Sequence, residues 1–239
     1  MESVEIKENL FRIKENISEY AKKSGRSESS VKLCAVSKFH PLESVVSAIS
    51  AGQFLFGENR VQEAASKFTS LEPELRKKSL LHIIGTLQTN KVKKAVQIAD
   101  CIQSVDRLSL VSEIQKHCAS FSKKIDVMLE IHTGEESKSG FTSLDDVYSL
   151  CEEFASGKYP LVNLNGLMTM APFTQDEKLI HESFKKLRLL KEELNAKFPE
   201  LPLAELSMGM SGDYRIAIEE GSTMVRIGTA IFGERNYNA

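Results

Sequence analysis

The stretch Val31-Lys32-Leu33-Cys34-Ala35-Val36-Ser37-Lys38, followed by Phe39-His40-Pro41 and the amphipathic run Leu42 to Ala51, sets the pattern that the chain repeats. Six of its eight residues are apolar or small, so it reads as a buried strand that turns into a helix. Lysine is among the residues least often buried. At the end of such a strand, Lys38 either snorkels to solvent at the sheet rim or is engaged by something above it. Taken alone, the strand favours snorkelling.

Upstream, Ile6, Leu10, Ile13, Ile17 and Tyr20 recur at spacings of four and three, one face of a long amphipathic helix closed by Ser24-Gly25. Downstream, short apolar runs alternate with helical periodicity. Phe54 to Gly57 precedes a helix opening near Asn59, and Leu81 to Gly85 precedes one carrying Val92, Ala95, Val96 and Ile98. Cys101 to Val105, Ile125 to Ile131 and Leu161 to Met170 are followed by helices through Val111, Val147 and Phe184. Ala204 to Ser207 and Met224 to Ile227 are the last two strands, with a short helix between them that ends at Gly221. Strict alternation implies a parallel sheet with right-handed crossovers. Eight such units in 239 residues match the size of a (β/α)8 barrel, about 250 residues. The expected fold is therefore α/β, a TIM barrel over residues 31–235 behind an extra N-terminal helix over 1–25. An open doubly wound sheet is the alternative, because periodicity does not report closure. No linker, low-complexity tract or charge block divides the chain, so residues 1–239 are expected to form one domain.

Composition narrows the function classes. Net charge is −2, with 31 Lys+Arg against 33 Asp+Glu, which leaves no electrostatic footprint for nucleic acid or anionic membrane. Cys34, Cys101, Cys118 and Cys151 form no CxxC pair, which points to reduced thiols, no disulfide framework and no metal site. The N-terminus lacks the apolar core of a signal peptide, and no run approaches the roughly 20 apolar residues of a membrane span. The expected location is the cytoplasm.

In a barrel of this class chemistry sits where strands end and helices begin. The polar residues at those exits are Lys38, Glu58-Asn59, the Gly85 to Lys91 run, His132 to Gly140, Thr169, Ser207 to Ser211 and Gly228-Thr229. The last two carry the most information. Gly209, Gly212, Gly228 and Gly233 allow close backbone approach, and Ser207, Ser211 and Thr229 add hydroxyls. Loops after the seventh and eighth strands customarily bind phosphate in such barrels. A plainer reading, in which Ser211 and Asp213 cap a helix and the glycines make turns, weighs equally on physics alone. Arg226 lies inside an apolar strand and needs a partner: a structural salt bridge, or a ring nitrogen or carboxylate of a ligand.

Other motifs read as structural. Asn59 followed by Gln62 fits a helix N-cap. His82 fits a satisfied core histidine, and Thr89 to Lys94 fits a solvated helix face without the interleaved aromatics of a nucleic-acid platform. The serines within Glu135 to Gly140 suit capping of the next helix. Met168, Met170, Met208 and Met210 suit core filling. No metal-ligand cluster and no GxSxG appear.

Together, Ala35-Val36-Ser37-Lys38, Gly57-Glu58-Asn59, Ile84-Gly85 with Leu87 to Lys91, Glu136 to Gly140 and Gly166-Leu167-Met168 resemble the pyridoxal phosphate homeostasis proteins, the YggS/PROSC-like family. Leu206 to Ser211 and Gly221 to Gly233 look nearly like its signature. The resemblance implies a barrel like the N-terminal domain of alanine racemase that holds pyridoxal 5′-phosphate as a Schiff base. By match of motif, Lys38 would be the Schiff-base lysine. Ser207, Gly228 and Thr229, with backbone near Gly209, would hold the phosphate. Arg226 would face the pyridine nitrogen, and Asn59 would lie near the ring. The sequence departs from the family at Leu81-His82-Ile83-Ile84-Gly85-Thr86, where Trp-His-Phe-Ile-Gly-His is common, and at Arg60, often tyrosine. Those departures bear on pocket lining and surface contacts.

The function expected from the resemblance is that of a cytoplasmic carrier or buffer that maintains vitamin B6 homeostasis, with no catalytic residue. Apo-enzymes that use the cofactor are candidate recipients, and a self-contained barrel makes a monomer the default. An arginine opposite the ring nitrogen disfavours pyridinium and weakens the ring as an electron sink. The first rival is an amino-acid racemase of weak activity, which needs acid/base groups on both faces of its substrate. The chain runs only six residues past Gly233, so the second domain of alanine racemase is not expected. The second rival, on physics alone, is a phosphosugar-type barrel enzyme.

Overall fold

The computed structural model describes residues 3–134 and 139–234. Helix α1 (Ser3–Lys23) leads into β1 (Lys32–Val36), α2 (Leu42–Ser50), β2 (Leu55–Glu58), α3 (Val61–Thr69), α4 (Pro73–Lys78) and β3 (Leu80–Ile83). A 3-10 turn at Thr89–Lys91 opens α5 (Val92–Ile98), followed by β4 (Cys101–Val105), α6 (Leu108–Phe121), β5 (Ile125–Glu130) and α7 (Leu144–Ala155). Then come β6 (Val162–Met168), α8 (Glu177–Lys197), β7 (Glu205–Ser207), α9 (Tyr214–Glu219), β8 (Met224–Ile227) and α10 (Thr229–Phe232).

All eight strands are parallel and close into a barrel in chain order. The choice between barrel and open sheet is settled by the pairing of β1 with β8, in which Lys32, Leu33, Cys34 and Ala35 lie opposite Met224, Val225, Arg226 and Ile227. Helix α1 buries Ile6, Leu10, Ile13, Ile17 and Ala21. It packs on α2, α9 and α10 and so covers the outside of that seam. Asn9 Nδ2 donates to Ile231 O at 3.1 Å across the same contact.

The barrel interior is filled differently from its outer shell. Cys34, Cys101, Met128, Met168 and Met224 form a buried cluster with Leu55 packed on it, separate from the aliphatic core between strands and helices. Gly57 makes room for this filling: a Cβ there would meet Cys34 Sγ at 2.9 Å and Ile84 Cδ1 at 3.0 Å. Beside this cluster, and touching it where Gln103 Nε2 lies 3.2 Å from Met224 Sδ, runs a polar chain. Arg226 Nη1 donates to Ser207 Oγ at 2.8 Å, Ser207 Oγ donates to Gln103 Oε1 at 2.6 Å, and Gln103 Nε2 lies 2.7 Å from His82 Nδ1.

Several local readings change. The strands run a residue or two shorter or shifted, so Lys38 stands two residues beyond the end of β1. Asn59 is not the N-cap of α3: the helix begins at Val61, and its N-cap is Arg60, extended at φ −110° with no side-chain cap bond. The cap of α7 is Ser143, which accepts from Asp146 N at 3.3 Å, while Ser139 bonds to Glu130 instead. Ser137, in the same serine reading, lies outside the described residues. Met170 and Met210 are not core fillers; both line the cavity described below. Helix α4 escaped the periodicity because it buries no residue and is marked chiefly by Pro73 at its start. His82 is a satisfied core residue as expected, and Lys93 and Lys94 are exposed.

Burial lowers the pKa of His82 from 6.5 to about 4. The unfolded chain therefore takes up this proton below pH 6.5, while the folded chain resists it until about pH 4. Stability should fall as pH drops through that window, by up to about 3 kcal/mol from this group. Urea unfolding of the parent and of His82→Gln across the same range should show the slope in the parent and a shallower one in the variant.

Candidate functional site

Lys38 sits in a turn whose geometry is heavily constrained. Phe39 takes a left-handed backbone conformation, φ +64°, which side chains other than glycine adopt reluctantly. What holds it there is a buried ammonium. Lys67 on α3 donates Nζ to Ser37 O at 2.7 Å and to His40 O at 3.1 Å, one carbonyl on either side of Lys38-Phe39. The same Nζ pairs with Glu58 Oε1 at 2.5 Å and Glu63 Oε1 at 2.9 Å. Glu58 Oε1 also accepts from Ser37 Oγ at 2.7 Å, and Glu63 Oε1 accepts from Phe39 N at 2.5 Å. Burial raises the pKa of the Glu58 carboxyl, against the pull of Lys67 and Ser37.

At the strand exits opens a cavity of about 320 Å³, and its walls come from nearly all of them. Val36, Lys38 and His40 come from the first, Asn59 from the second, and Ile84, Gly85 and Thr86 from the third. Glu130 and Ser139 come from the fifth, Met170 from the sixth, Met210, Ser211 and Gly212 from the seventh, and Arg226, Gly228 and Thr229 from the eighth. Two glycines fix the close approaches. A Cβ on Gly85 would fall 2.8 Å from Asn59 O, and one on Gly228 would fall 3.0 Å from Val36 O. A Cβ on Gly212 would meet nothing, so that loop leaves open space beside the cavity.

Of the residues singled out from sequence, Lys38, Asn59, Arg226, Gly228 and Thr229 thus meet in one place. Ser207 and Gly209 do not line it. The Ser207 hydroxyl is fully buried in the barrel and spent on Gln103 and Arg226, so it props the arginine from below. Gly209, at φ +99°, packs against Ala217 and accepts from Arg226 N at 2.9 Å. Neither lines the cavity, whereas Ser211 and Gly212 do. Arg226 makes no salt bridge among the described residues, which removes the structural ion pair from its two readings. It is fixed instead by carbonyls, Nη1 to Ser207 O at 2.6 Å and Nη2 to Thr169 O at 2.7 Å.

Sequence reasoning missed Glu130 and the clamp at Lys67, and it read Ser139, within the exit run His132 to Gly140, as a helix cap. Glu130 ends an apolar strand as Lys38 nearly does, so the same signal was there to be read. Lys67 had no such signal, because the one lysine of a short amphipathic helix reads as solvated and only the fold shows it buried.

The chain matches the family model for the alanine racemase N-terminal domain over residues 9–236. A pyridoxal phosphate homeostasis protein of Vibrio alginolyticus is 42% identical over 238 residues, 98% of this chain and 99% of that one. The chain belongs to the pyridoxal phosphate homeostasis protein family. A solved structure from Bifidobacterium adolescentis, of a protein described as unknown, superposes with a TM-score of 0.89 at 33% identity, over 96% of this chain and 95% of that one. PipY of Synechococcus elongatus PCC7942, solved with PLP bound, gives a TM-score of 0.79 at 34% identity, over 91% of this chain and 100% of that one. Alanine racemase of Bacillus anthracis shares the fold, with a TM-score of 0.73 at 16% identity over 97% of this chain and 56% of that one.

Within this family member the Lys67 clamp gives a direct test. Removing one partner of a buried ion pair strands the other, at a cost of about 3 kcal/mol or more. Lys67→Met should lose that much in chemical denaturation, and adding Glu58→Gln to it should recover part of the loss.

Proposed function

We propose that this protein binds pyridoxal 5′-phosphate covalently, as a Schiff base on Lys38, and carries or buffers it in vitamin B6 homeostasis in the cytoplasm. The observation that carries the reading is the convergence on one cavity of Lys38, Arg226 and the loops at Ser211-Gly212 and Gly228-Thr229. Each side chain suits a different part of that molecule. A primary amine condenses with the aldehyde. The open space at Gly212 and the hydroxyls of Ser211 and Thr229 suit a phosphate, and Arg226 suits the pyridine nitrogen. Asn59 stands beside Gly85 at the cavity wall, within reach of a ring.

The residues support holding the cofactor more than exploiting it. When bound, pyridoxal phosphate supplies an electrophilic aldehyde and, with a protonated ring, an electron sink. Arg226 is buried and held by two carbonyls, so its positive charge stays where a pyridinium would form and opposes that protonation. Among the described residues no tyrosine lines the cavity to serve as a second-face acid or base. The names of the relatives and the cofactor bound in PipY support the same reading. A single barrel domain working as a monomer, with apo-enzymes as recipients, completes the proposal. No helix among the described residues is long and apolar enough to cross a membrane.

Borohydride reduction of protein loaded with pyridoxal phosphate, followed by peptide mass analysis, should place the pyridoxyl group on Lys38. An unmodified Lys38 in the loaded protein would overturn the proposal. Racemase turnover on a panel of amino acids, if found and abolished by Lys38→Ala, would replace the carrier with an enzyme.

A further inference from the structure

Three buried side-chain atoms among the described residues have no hydrogen-bond partner: Ser30 Oγ, Glu58 Oε2 and Glu130 Oε2. Only Glu130 also lines the cavity. Glu130 is 2% exposed, and its Oε1 is already satisfied by Ser139 Oγ at 2.6 Å. Leaving the second oxygen dry and unbonded is costly, so an unbonded atom in a ligand cavity marks the place where a ligand supplies the missing partner.

The position of Glu130 says which part of the ligand that is, on the reading of the preceding subsection. Glu130 ends β5, three strands round the closed barrel from β8 and four from β1. The pyridine ring of pyridoxal phosphate carries its aldehyde between two substituents, the phosphate arm on one side and the 3-oxygen on the other. With the aldehyde at Lys38 and the phosphate at the loops after β7 and β8, the 3-oxygen edge turns to the wall built by the exits of β2 to β5. On that wall Glu130 has the open atom.

We propose that Glu130 reads the ligand's 3-oxygen, donating an O–H hydrogen bond from Oε2 to it while Ser139 fixes the other carboxyl oxygen. A carboxyl must be protonated to donate. Burial, the largest influence, raises the pKa of Glu130; Asp106 at the end of β4 acts the same way, while the hydrogen bond from Ser139 and the charge of Arg226 on β8 oppose it. The ionised form would instead set a second negative charge against a phenolate.

The test compares pyridoxal phosphate with its 3-deoxy analogue on three proteins: parent, Glu130→Gln and Glu130→Met. The amide of the glutamine keeps a donor at the same point, and the methionine removes it at similar volume. The parent should bind pyridoxal phosphate about tenfold more tightly than the analogue, the worth of one good hydrogen bond. Glu130→Gln should keep that preference, and Glu130→Met should bring it close to one. A preference that survives in Glu130→Met, or that is lost equally in Glu130→Gln, overturns the proposal. Borohydride labelling of the same samples separates this failure from that of the function: a labelled Lys38 with an unchanged preference in Glu130→Met sinks only the role of Glu130, whereas an unlabelled parent sinks the Schiff base itself.

Discussion

The structure depends on the closure of the sheet between its first and last strands. A lysine at position 38 and an arginine at 226 are strangers in sequence, and no local propensity brings them together. Register does it. Cys34 pairs with Arg226, so the strand that leads to Lys38 neighbours the one that carries Arg226, and the turn after β1 rises next to Gly228-Thr229. The approach is close enough that a Cβ on Gly228 would crowd Val36 O at 3.0 Å. Helix α1, outside the barrel repeat, packs over this seam with five buried side chains. Such long-range pairing is slow to form but leaves no sheet edge.

Much of this was legible in the sequence because barrels translate chain order into space. Once eight apolar runs alternate with helices, the strand exits share a rim, and the polar residues at those exits must be neighbours. Lys38, Asn59, Gly228 and Thr229 follow from that rule. What the rule does not give is depth. Ser207 and Ser211 are four residues apart in one motif, yet the first is sunk in the barrel and the second lines the cavity. Side chains on a strand alternate faces and climb about 3.3 Å per residue, so the layer a residue occupies depends on strand stagger, which periodicity does not encode. The fate of Asn59 has a similar cause. Its cap signature was sound, but the chain stays extended through Arg60, whose guanidinium lies 5.4 Å over the Phe39 ring.

The Lys67 cluster shows how an unfavourable turn is made permanent. Five atoms from Ser37, Phe39, His40, Glu58 and Glu63 meet around one buried ammonium or its carboxylate partner. Each contact taken alone is ordinary. Together they leave the backbone on both sides of Lys38 almost no freedom, so on the proposed reading the amine meets an incoming aldehyde from a fixed base. Burying such a cluster is a poor way to gain stability. It is a good way to hold one side chain over one cavity.

Arg226 has a consequence of another kind. Folding buries a guanidinium and gives it carbonyls, which orient the charge without neutralising it. A ligand that binds only the folded barrel adds a partner for that guanidinium, and the loaded protein gains resistance to unfolding that grows with free ligand, about 2.7 kcal/mol at a hundredfold excess over Kd. On the proposed reading, the cellular pool of the cofactor then governs more than occupancy. It sets how often the barrel opens to proteases, so that the abundance of the buffer follows the quantity it buffers.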